Sequence, residues 1–387
     1  MRRFLTICLL IPAALAALSG PARAARDYAA ALLMEAETGQ VLWEREADRD
    51  WIPASLVKMM LLLLADEAVE TGAVALADSV TATRRAQGQG GSQVFLAAGE
   101  TATLRKLLEA VAVGSANDAA VAVAEGLYGT VESAVAAMNL EAIHLGMTGT
   151  HYVNVTGLPV RRGRPDNRST ARDQALLARE IVRHHPRVLE WTGLRWTRFR
   201  KGLVLGTTNG LMKEFEGMDG LKTGFHHRAR CNLVATAERG GRRLIAVVLG
   251  SHSLRGRNGL AERLLERGYE EWELVEALPA GRVVADEHPV PHSWRASVRI
   301  ESGAPLRFAI RPEDRGRVEV LLVENFAMEA PLAAGQELGR IEAILDGRVL
   351  DSVPAVAGHE VSRAWLPLPP RQRPPLRAPV IAAGMGG

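Results

Sequence analysis

The chain has 387 residues, of which 47% are hydrophobic and 24% are charged, proportions that are ordinary for a soluble globular protein of two or three domains. Three arginines among the first 24 residues account for the formal net charge of +3, because the remaining chain carries 47 − 3 = 44 basic and 44 acidic side chains. That balance excludes the basic excess typical of nucleic-acid-binding proteins, so no nucleic-acid partner is expected.

The first 24 residues have the three parts of a secretory signal peptide. Arg2 and Arg3 give a basic start, an apolar stretch of about 15 residues follows, and the tripeptide A-R-A at 22–24 supplies a cleavage site. The apolar stretch is too short for a membrane-spanning helix. Residues 1–24 therefore predict export to the periplasm. Cys231 is the only cysteine that would remain, so no intrachain disulfide is expected.

Residues 25–276 alternate between strand-like and helix-like segments. Two predicted strands flank a turn at Thr38-Gly39, and a helix is predicted from Ser55 to about Glu70, ending at Gly72. Further helical segments lie at 103–129, 170–185 and 259–274, and residues 232–250 read as a hairpin around a Gly-Gly turn. We interpret 25–276 as one α/β domain, with strands from both ends of the segment in one sheet.

After Pro279 the pattern of apolar and polar residues changes. Short segments alternate apolar and polar residues between Gly, Pro and Asp turns, which predicts a small all-β domain over 280–366. This domain gathers no catalytic residue types, so we interpret it as a spacer, with a wall-binding or partner-binding module as the alternative. Residues 367–387 are Pro-rich, which predicts an extended or disordered tail without the amphipathic helix of a membrane anchor.

Ser55 and Lys58 form the first motif that could carry chemistry. Their i, i+3 spacing places both side chains on one face of a helix, near its positive N-terminal end. A desolvated lysine has a lowered pKa and can accept the proton of a nucleophilic serine. Taken alone, S-x-x-K is a weak signal, because a lysine that snorkels from a core helix gives the same pattern.

Two further motifs follow in the order found in penicillin-recognising serine acyltransferases. The first is Ser115-Ala116-Asn117, in which the serine could pass a proton between Lys58 and a leaving nitrogen and Asn117 could bind a substrate amide. The second is Lys222-Thr223-Gly224, where charge and hydroxyl could hold a terminal carboxylate. Gly224 would let a substrate backbone lie close to the strand.

With these motifs the chain resembles the D-alanyl-D-alanine carboxypeptidases, the low-molecular-mass penicillin-binding proteins. The segments that carry the resemblance are MEAETGQVLWEREAD, PASLVKMM, GGSQVFLAAGE, THYVNVTGLP, STARDQALLA, DGLKTG and NLVATAERGGRRLIAVVLG. The resemblance implies a five-stranded antiparallel sheet flanked by helices, with a helical lobe beside it. It also implies an oxyanion hole from the backbone N–H groups of Ser55 and Phe225, and a role for Arg257 in holding the substrate carboxylate. The sequence departs from the family pattern at Phe225, where His or Tyr is frequent, and at His226, where Thr is usual.

The activity implied is removal of the terminal D-alanine from peptidoglycan stem peptides through an acyl-enzyme on Ser55, with β-lactams as covalent inhibitors. A D,D-endopeptidase remains an alternative, because it also cuts beside a D-alanine. A β-lactamase is disfavoured because no E-x-x-L-N pattern lies between Asn117 and Lys222. A non-enzymatic wall-binding protein is disfavoured because all three motifs are intact. The expected location is the periplasm, either free or peripheral at the inner membrane.

The remaining reactive residue types point to no further site. The pairs His184-His185 and His226-His227 lack the i, i+4 spacing of a helical metal site, so neither a metal nor another cofactor is expected. The basic segment 161–168 reads as a solvated loop, with attraction of anionic peptidoglycan as the alternative. Cys231 reads as a small buried residue on a strand, although its closeness to K-T-G leaves a reactive thiol open.

Overall fold

The computed structural model describes residues 27–160, 163–293, 297–324, 329–364 and 377–379. The predicted signal peptide and most of the Pro-rich tail lie outside these residues, as do the first two residues of the basic loop. The predicted boundaries of the domains at 276 and 280 stay predictions.

The helices and strands of the described residues are as follows. The helices are α1 (Lys58–Glu70), α2 (Arg84–Gln87), α3 (Leu104–Val113), α4 (Asn117–Tyr128), α5 (Val131–His144), α6 (Ala171–His184), α7 (Arg187–Thr192) and α8 (Leu254–Glu271). The strands are β1 (Ala30–Glu35), β2 (Val41–Arg45), β3 (Ser79–Thr81), β4 (Thr101–Thr103), β5 (Trp196–Arg200), β6 (Leu203–Gly206), β7 (Met218–His226), β8 (Arg230–Arg239), β9 (Arg242–Ser251), β10 (Glu273–Leu278), β11 (Val283–Pro289), β12 (Ser297–Ser302), β13 (Leu306–Ile310), β14 (Val318–Glu324), β15 (Glu337–Leu345), β16 (Arg348–Ala357) and β17 (Arg377–Pro379).

A five-stranded antiparallel sheet in the order β2-β1-β9-β8-β7 forms the centre of the first part of the chain. The two predicted hairpins are confirmed, since β1 pairs with β2 and β8 pairs with β9. Strand β1 lies beside β9, so strands from both ends of the segment share one sheet, as predicted. The fold class expected from the resemblance is confirmed by this sheet, its helices and the further β region.

Apolar side chains cover both faces of this sheet because consecutive strand residues point to opposite sides. On β1, Leu32 and Met34 join the core around helix α1, whereas Ala31 and Leu33 join a second core with Leu265 of helix α8. Helix α1 is buried between the sheet and its helical neighbours: every residue from Lys58 to Asp66 is buried. The prediction of a buried central helix is thus confirmed.

Three predicted helical segments differ in detail from the helices of the structure. The segment from Ser55 begins as a 3-10 turn over Ala54–Val57, and α1 starts only at Lys58. The segment 103–129 is two helices, interrupted where Ser115 adopts φ +57. The last helix starts at Leu254 behind the cap Ser253 and ends at Glu271, because the following residues pair as β10 with β13.

The later part of the chain forms a six-stranded sheet in the order β11-β12-β16-β15-β14-β17. Its own core contains Phe308, Ile300 and Ile341, all nearly without solvent exposure. The all-β prediction for this region is confirmed by these strands. The described piece of the predicted tail, β17, extends this sheet by pairing with β14.

A few polar contacts join the turn between β1 and β2 to β13, which pairs with β10. The Gln40 side chain, in the turn after β1, donates to the Ala309 carbonyl and accepts from the Ala309 N–H, both at 2.9 Å. Arg307 Nη1 lies 3.1 Å from a carboxylate oxygen of Glu37. Across the described part of the chain, no helix has the length and apolarity that crossing a membrane would require.

Candidate active site

Ser55 lies on the 3-10 turn that leads into helix α1, and its side chain is partly exposed while Leu56 and Val57 beside it are buried. The turn is held from the sheet. Buried Asn232 on β8 donates to the carbonyls of Ile52 (2.9 Å) and Pro53 (3.1 Å). The preceding segment is therefore fixed to the sheet, while Ser55 itself stays partly exposed to solvent.

Lys58 lies one turn further on and has no solvent exposure. Its Nζ is 3.1 Å from Ser55 Oγ, 2.7 Å from Asn117 Oδ1 and 2.6 Å from the Thr156 carbonyl oxygen. Burial, together with the positive charge of Lys222, holds the pKa of Lys58 well below its ordinary value. A neutral amine has two N–H groups and one lone pair. If Asn117 and Thr156 accept the two N–H groups, the lone pair faces the Ser55 hydroxyl.

The first two residues of the S-x-N motif connect helices α3 and α4, and Asn117 is the first residue of α4. Asn117 Nδ2 donates to the Gly90 carbonyl at 2.7 Å, which fixes its Oδ1 toward Lys58. Asn117 is 3% exposed, so its amide is used first to position Lys58, and only its second N–H and lone pair remain for a substrate. Among the described residues the Ser115 hydroxyl has no hydrogen-bond partner, so the structure does not join it to Lys58.

Asp118 holds the loop opposite the nucleophile and was not predicted from the sequence. This carboxylate is fully buried and accepts N–H groups from Val94, Leu96 and Ala119 at 2.9–3.1 Å. The Asn117 N–H also donates to the Ser92 carbonyl at 2.7 Å. Helix α4 therefore anchors the loop 90–96, which carries the GGSQVFL segment.

The K-T-G motif lies on edge strand β7. Lys222 is 1% exposed and its Nζ donates to the Thr223 carbonyl at 3.0 Å. Burial, helped by the charge of Arg257, lowers the pKa of Lys222 to about 7. Thr223 Oγ1 lies 2.5 Å from Thr208 Oγ1. Phe225 directs a 64% exposed side chain to solvent, so its contribution would come from the backbone.

The requirement for glycine at 224 has a different origin from the one inferred from the sequence. A Cβ there would come 2.5 Å from the Pro53 carbonyl oxygen and 3.2 Å from the Ser55 nitrogen. Gly157 approaches the same turn from the other side, and its Cβ would lie 2.1 Å from the Ala54 carbonyl oxygen. The two glycines allow strand and loop to close on the Ser55 turn, and no substrate is needed to explain them.

Arg257 lies in the first turn of helix α8 and is 2% exposed. Its guanidinium donates to Asn258 Oδ1 at 2.8 and 3.0 Å. Its charge acts on Lys222, so the structure brings the two cations together. Cys231 is buried nearby, and burial raises the pKa of its thiol, which disfavours the reactive thiolate.

The Thr156 carbonyl is the other contact that sequence reasoning missed. Its loop is organised by Asn154, whose Oδ1 accepts from the N–H groups of Thr156 (3.1 Å) and Gly157 (2.7 Å). The signal was the THYVNVTGLP segment, which matched the family without any role being assigned to it. A backbone acceptor leaves no residue-type signature, so a sequence alone does not reveal it.

Three of the four paired histidines, His184, His185 and His226, contact polar groups. His226 Nδ1 accepts from the Ala229 N–H at 3.2 Å. His185 Nδ1 lies 3.1 Å from Asp66 and 3.7 Å from Glu70, and the three ligand atoms lie within 4.8 Å of one another. Arg187 Nη1 is also 3.2 Å from Asp66, so a guanidinium already balances that carboxylate. We interpret this cluster as an ion-pair network at the far end of α1.

These features are those expected of one class, the serine acyltransferases: a serine hydroxyl beside a buried amine, at the junction of a sheet edge, a buried helix and a helical lobe. Residues 19–253 match the family described as D-alanyl-D-alanine carboxypeptidase, a family of serine peptidases. The chain belongs to this family.

Relatives and solved structures agree with that assignment. The chain is 32% identical to D-alanyl-D-alanine carboxypeptidase DacF of Bacillus subtilis, over 81% of this chain and 80% of DacF. It is 32% identical to DacA of Escherichia coli K12, over 80% of this chain and 77% of DacA. Penicillin-binding protein 5 of Haemophilus influenzae superposes with a TM-score of 0.80 at 29% identity, covering 87% of this chain and 98% of that structure. Penicillin-binding protein D2 of Listeria monocytogenes, in an ampicillin-bound form, covers 63% of this chain and 97% of that structure, with a TM-score of 0.58 at 33% identity.

Proposed function

We propose that this chain is a serine-type D-alanyl-D-alanine carboxypeptidase that removes the terminal D-alanine of peptidoglycan stem peptides and is acylated by penicillins. The observation that carries the proposal is the 3.1 Å contact between Lys58 Nζ and Ser55 Oγ, made by an amine that is fully buried. Because burial lowers the pKa of Lys58 well below its ordinary value, its amine can accept the proton of Ser55.

In the acylation step, Ser55 Oγ attacks the carbonyl carbon of the penultimate D-alanine while its proton moves to Lys58 Nζ. The tetrahedral intermediate carries its negative oxygen toward the backbone N–H groups of Ser55 and Phe225. Donors of this kind contribute about 3 kcal/mol or more in acyl transfer. The C–N bond then breaks, and the proton passes from Lys58 to the leaving nitrogen. The free Ser115 hydroxyl is the group that could carry that proton between them.

The substrate carboxylate is held by the cations on the other side of the cleft. Lys222 and Arg257 are both buried and placed near each other, an arrangement that raises the energy of the empty site. A bound carboxylate would relieve that repulsion, and Thr223 would add a hydrogen bond. Asn117 is then a positioning residue for Lys58 that can also contact the peptide.

Deacylation regenerates the enzyme with water as the second nucleophile. Water attacks the ester carbonyl of acyl-Ser55, its proton moves to Lys58, and the ester C–O bond breaks as Lys58 returns a proton to Ser55 Oγ. The products are the shortened stem peptide and the free serine. The exposed Phe225 borders this position, so we expect the residue at 225 to influence the rate of deacylation.

We also propose that residues 1–24 direct export, that the enzyme acts in the periplasm or at the surface of the inner membrane, and that 25–276 and 280–366 are its catalytic and β domains. The D,D-endopeptidase remains the closest alternative, because the same residues would cleave a cross-link beside D-alanine. None of the motifs gives a specific reason to favour a β-lactamase.

Incubation of residues 25–387 with a fluorescent penicillin, followed by peptide mass analysis, tests the nucleophile. D-alanine release from a free stem pentapeptide, measured on the same preparation, tests the reaction. A covalent adduct on Ser55 together with D-alanine release is expected. Rapid turnover of the penicillin without D-alanine release would contradict the carboxypeptidase, and the absence of any adduct would contradict the enzyme.

A further inference from the structure

The hairpin formed by β5 and β6 presents an unusual outer face. Trp196 pairs with Gly206 and Arg198 pairs with Val204, so these residues share one side of the ribbon. Trp196 is 61% exposed and Val204 is 54% exposed. An indole and a valine left in water on one face, with an arginine between them, form a surface suited to a ligand.

The inner face of the same hairpin is fixed to the protein. Thr197 Oγ1 donates to Glu109 at 2.7 Å, and Phe199 is buried. Arg200 donates to the carbonyls of Val94 (2.8 Å) and Phe95 (3.0 Å) in the loop 90–96. The outer face is therefore held on a rigid element and placed against a loop that borders the candidate active site.

The outer face leads directly into the cleft. The pairing continues past β6, since the Thr207 N–H donates to the Arg195 carbonyl at 2.9 Å. The next residue, Thr208, is exposed and contacts Thr223 of the K-T-G strand. Alternation along β6 puts Val204 and Gly206 on one side. Thr208 follows two residues after the end of this strand, so the chain leads from the outer face to the K-T-G motif.

Two details leave this face open. Gly206 stands opposite Trp196, and a Cβ built on it would meet nothing within 4 Å, so no neighbouring atoms crowd that position beside the indole. Within the described residues, Arg198 forms no ion pair, whereas Arg200 on the inner face is bound to Glu100. The charge of Arg198 is thus available to an incoming group.

We propose that the outer face of the hairpin, defined by Trp196, Arg198 and Val204, is a subsite for the saccharide chain of peptidoglycan. The indole would stack on the apolar C–H face of a pyranose ring, and Arg198 would pair with a carboxylate of the attached peptide. The subsite would hold polymeric substrate while a stem peptide enters the cleft. This inference rests on the proposed function, because it assumes that the cleft takes peptidoglycan peptides.

Charge and shape both favour this occupant. Arg195, Arg198 and Lys201 make the hairpin cationic, and stem peptides that end in free carboxylates are anionic. A single flat ring on a narrow ribbon suits one sugar ring better than a broad protein interface, which normally buries about 800 Å² on each partner.

Trp196→Ala tests the subsite, with Ile143→Ala as the matched control because Ile143 is a 76% exposed apolar residue on helix α5. D-alanine release is measured on intact sacculi that carry pentapeptide stems and on a free pentapeptide. Sedimentation with sacculi measures binding independently of turnover. We expect Trp196→Ala to lower the ratio of kcat/KM between sacculi and pentapeptide about tenfold, and Arg198→Ala to lower it about threefold. Ile143→Ala should leave the ratio at the wild-type value.

Three results would overturn the inference. The first is an equal loss on both substrates, which would make the hairpin a support for the cleft. The second is no loss of rate or sedimentation on sacculi. The third is a loss of binding to vesicles of phosphatidylethanolamine and phosphatidylglycerol with sacculus binding intact, which would assign the face to a membrane surface.

If the wild type releases no D-alanine from the free pentapeptide, the proposed function fails. Loss of sacculus sedimentation in Trp196→Ala would still support the subsite.

Discussion

The two large sheets of this molecule bury different kinds of side chain. Beneath and beside the five-stranded sheet lie polar and charged groups without solvent exposure or nearly so, among them Lys58, Asn117, Asp118, Lys222, Asn232 and Arg257. In the described residues after 280, the buried polar residues are His288, Ser293 and Ser302, and the core is apolar. Both regions are antiparallel β structures with continuous cores, so topology does not cause the difference.

The comparison separates residues that stabilise from residues that react. Burying a cation opposes folding unless it is paired, and Lys58, Lys222 and Arg257 lie together with no carboxylate ion-paired to them among the described residues. Two factors explain this arrangement. The pKa of both lysines is lowered, and the proposed substrate would bring a carboxylate to the site. The six-stranded sheet carries no comparable cluster, so its substitutions should change stability and leave chemistry alone.

The largest expected effect is that of Lys58→Met. Loss of the base should lower D-alanine release and penicillin acylation at least about 10⁴-fold, as for other members of a catalytic unit. The melting temperature should stay the same or rise, because a buried amine whose protonation is disfavoured by burial is replaced by an apolar chain of similar length. Steady-state kinetics and thermal unfolding check both parts. A variant that is inactive because it no longer folds would show that Lys58 is needed for stability, and would contradict its assignment to the chemistry alone.

Gly224→Ala should have the next largest effect. Its Cβ would come 2.5 Å from the Pro53 carbonyl and push the Ser55 turn, which carries one proposed oxyanion donor, away from β7, which carries the other. We expect a loss in kcat of about 10²–10³-fold, the effect of losing one oxyanion donor. Gly316→Ala is the control, because nothing lies within 4 Å of a Cβ at that position in the other region. Equal kinetics for the two variants would rule out this placement of the donors.

Phe308→Ala should have the opposite effect, a loss of stability with little loss of activity. This ring is 1% exposed in the core of the six-stranded sheet. Its removal should lower the free energy of unfolding of that region by about 3–5 kcal/mol. The kcat/KM for a free pentapeptide should remain within about twofold, since the ring touches no candidate site residue. Chemical denaturation and kinetics measure the two quantities, and a large loss in kcat/KM would show that the two regions are coupled.

A smaller effect is expected from the titration of Lys222, whose pKa is lowered to about 7. The protonated form is the one that holds a carboxylate, so KM for a pentapeptide should rise as the pH increases above about 7. Lys222→Arg keeps its charge throughout this range and should flatten the rise, whatever its absolute rate. A KM that rises equally in both enzymes would assign the titration to another group.

The same group affects stability in a predictable direction. Its folded pKa of about 7 lies below the ordinary 10.5, so between these values the unfolded chain binds more protons and stability rises with pH. Lys222→Met should therefore stabilise the protein more at pH 6 than at pH 10. Unfolding curves of both proteins at the two pH values provide the test, and a gain that does not depend on pH would contradict a neutral buried Lys222 at high pH.

Much of this site could be predicted from the sequence, because its reactive residues occur in three short motifs in a recognisable order. The sheet was predictable for a similar reason: strand alternation and Gly turns are local. What could not be predicted depends on distant contacts. Asp118 reads as a helix residue until the N–H groups of Val94 and Leu96 meet it.

The start of the S-x-x-K helix shows the same limit. Helix propensity and spacing favour a regular helix from Ser55, yet the turn is 3-10 because Asn232 and the two close-packed glycines hold the residues before it. The subsite hairpin also went unrecognised, since its significance depends on which face is covered. Tertiary contacts decide these features, and they leave only weak traces in the local sequence.

The central claim is that the pKa of Lys58 lies well below its ordinary value and that the lone pair of its neutral amine faces Ser55. The first-order rate of Ser55 acylation at saturating penicillin, followed by mass of the labelled peptide from pH 5 to 10, tests it most directly. We expect this rate to rise with pH and to level off well below pH 10.5, the ordinary pKa of a lysine. A rate that keeps rising up to pH 10 would show a lysine with an ordinary pKa and would contradict this claim.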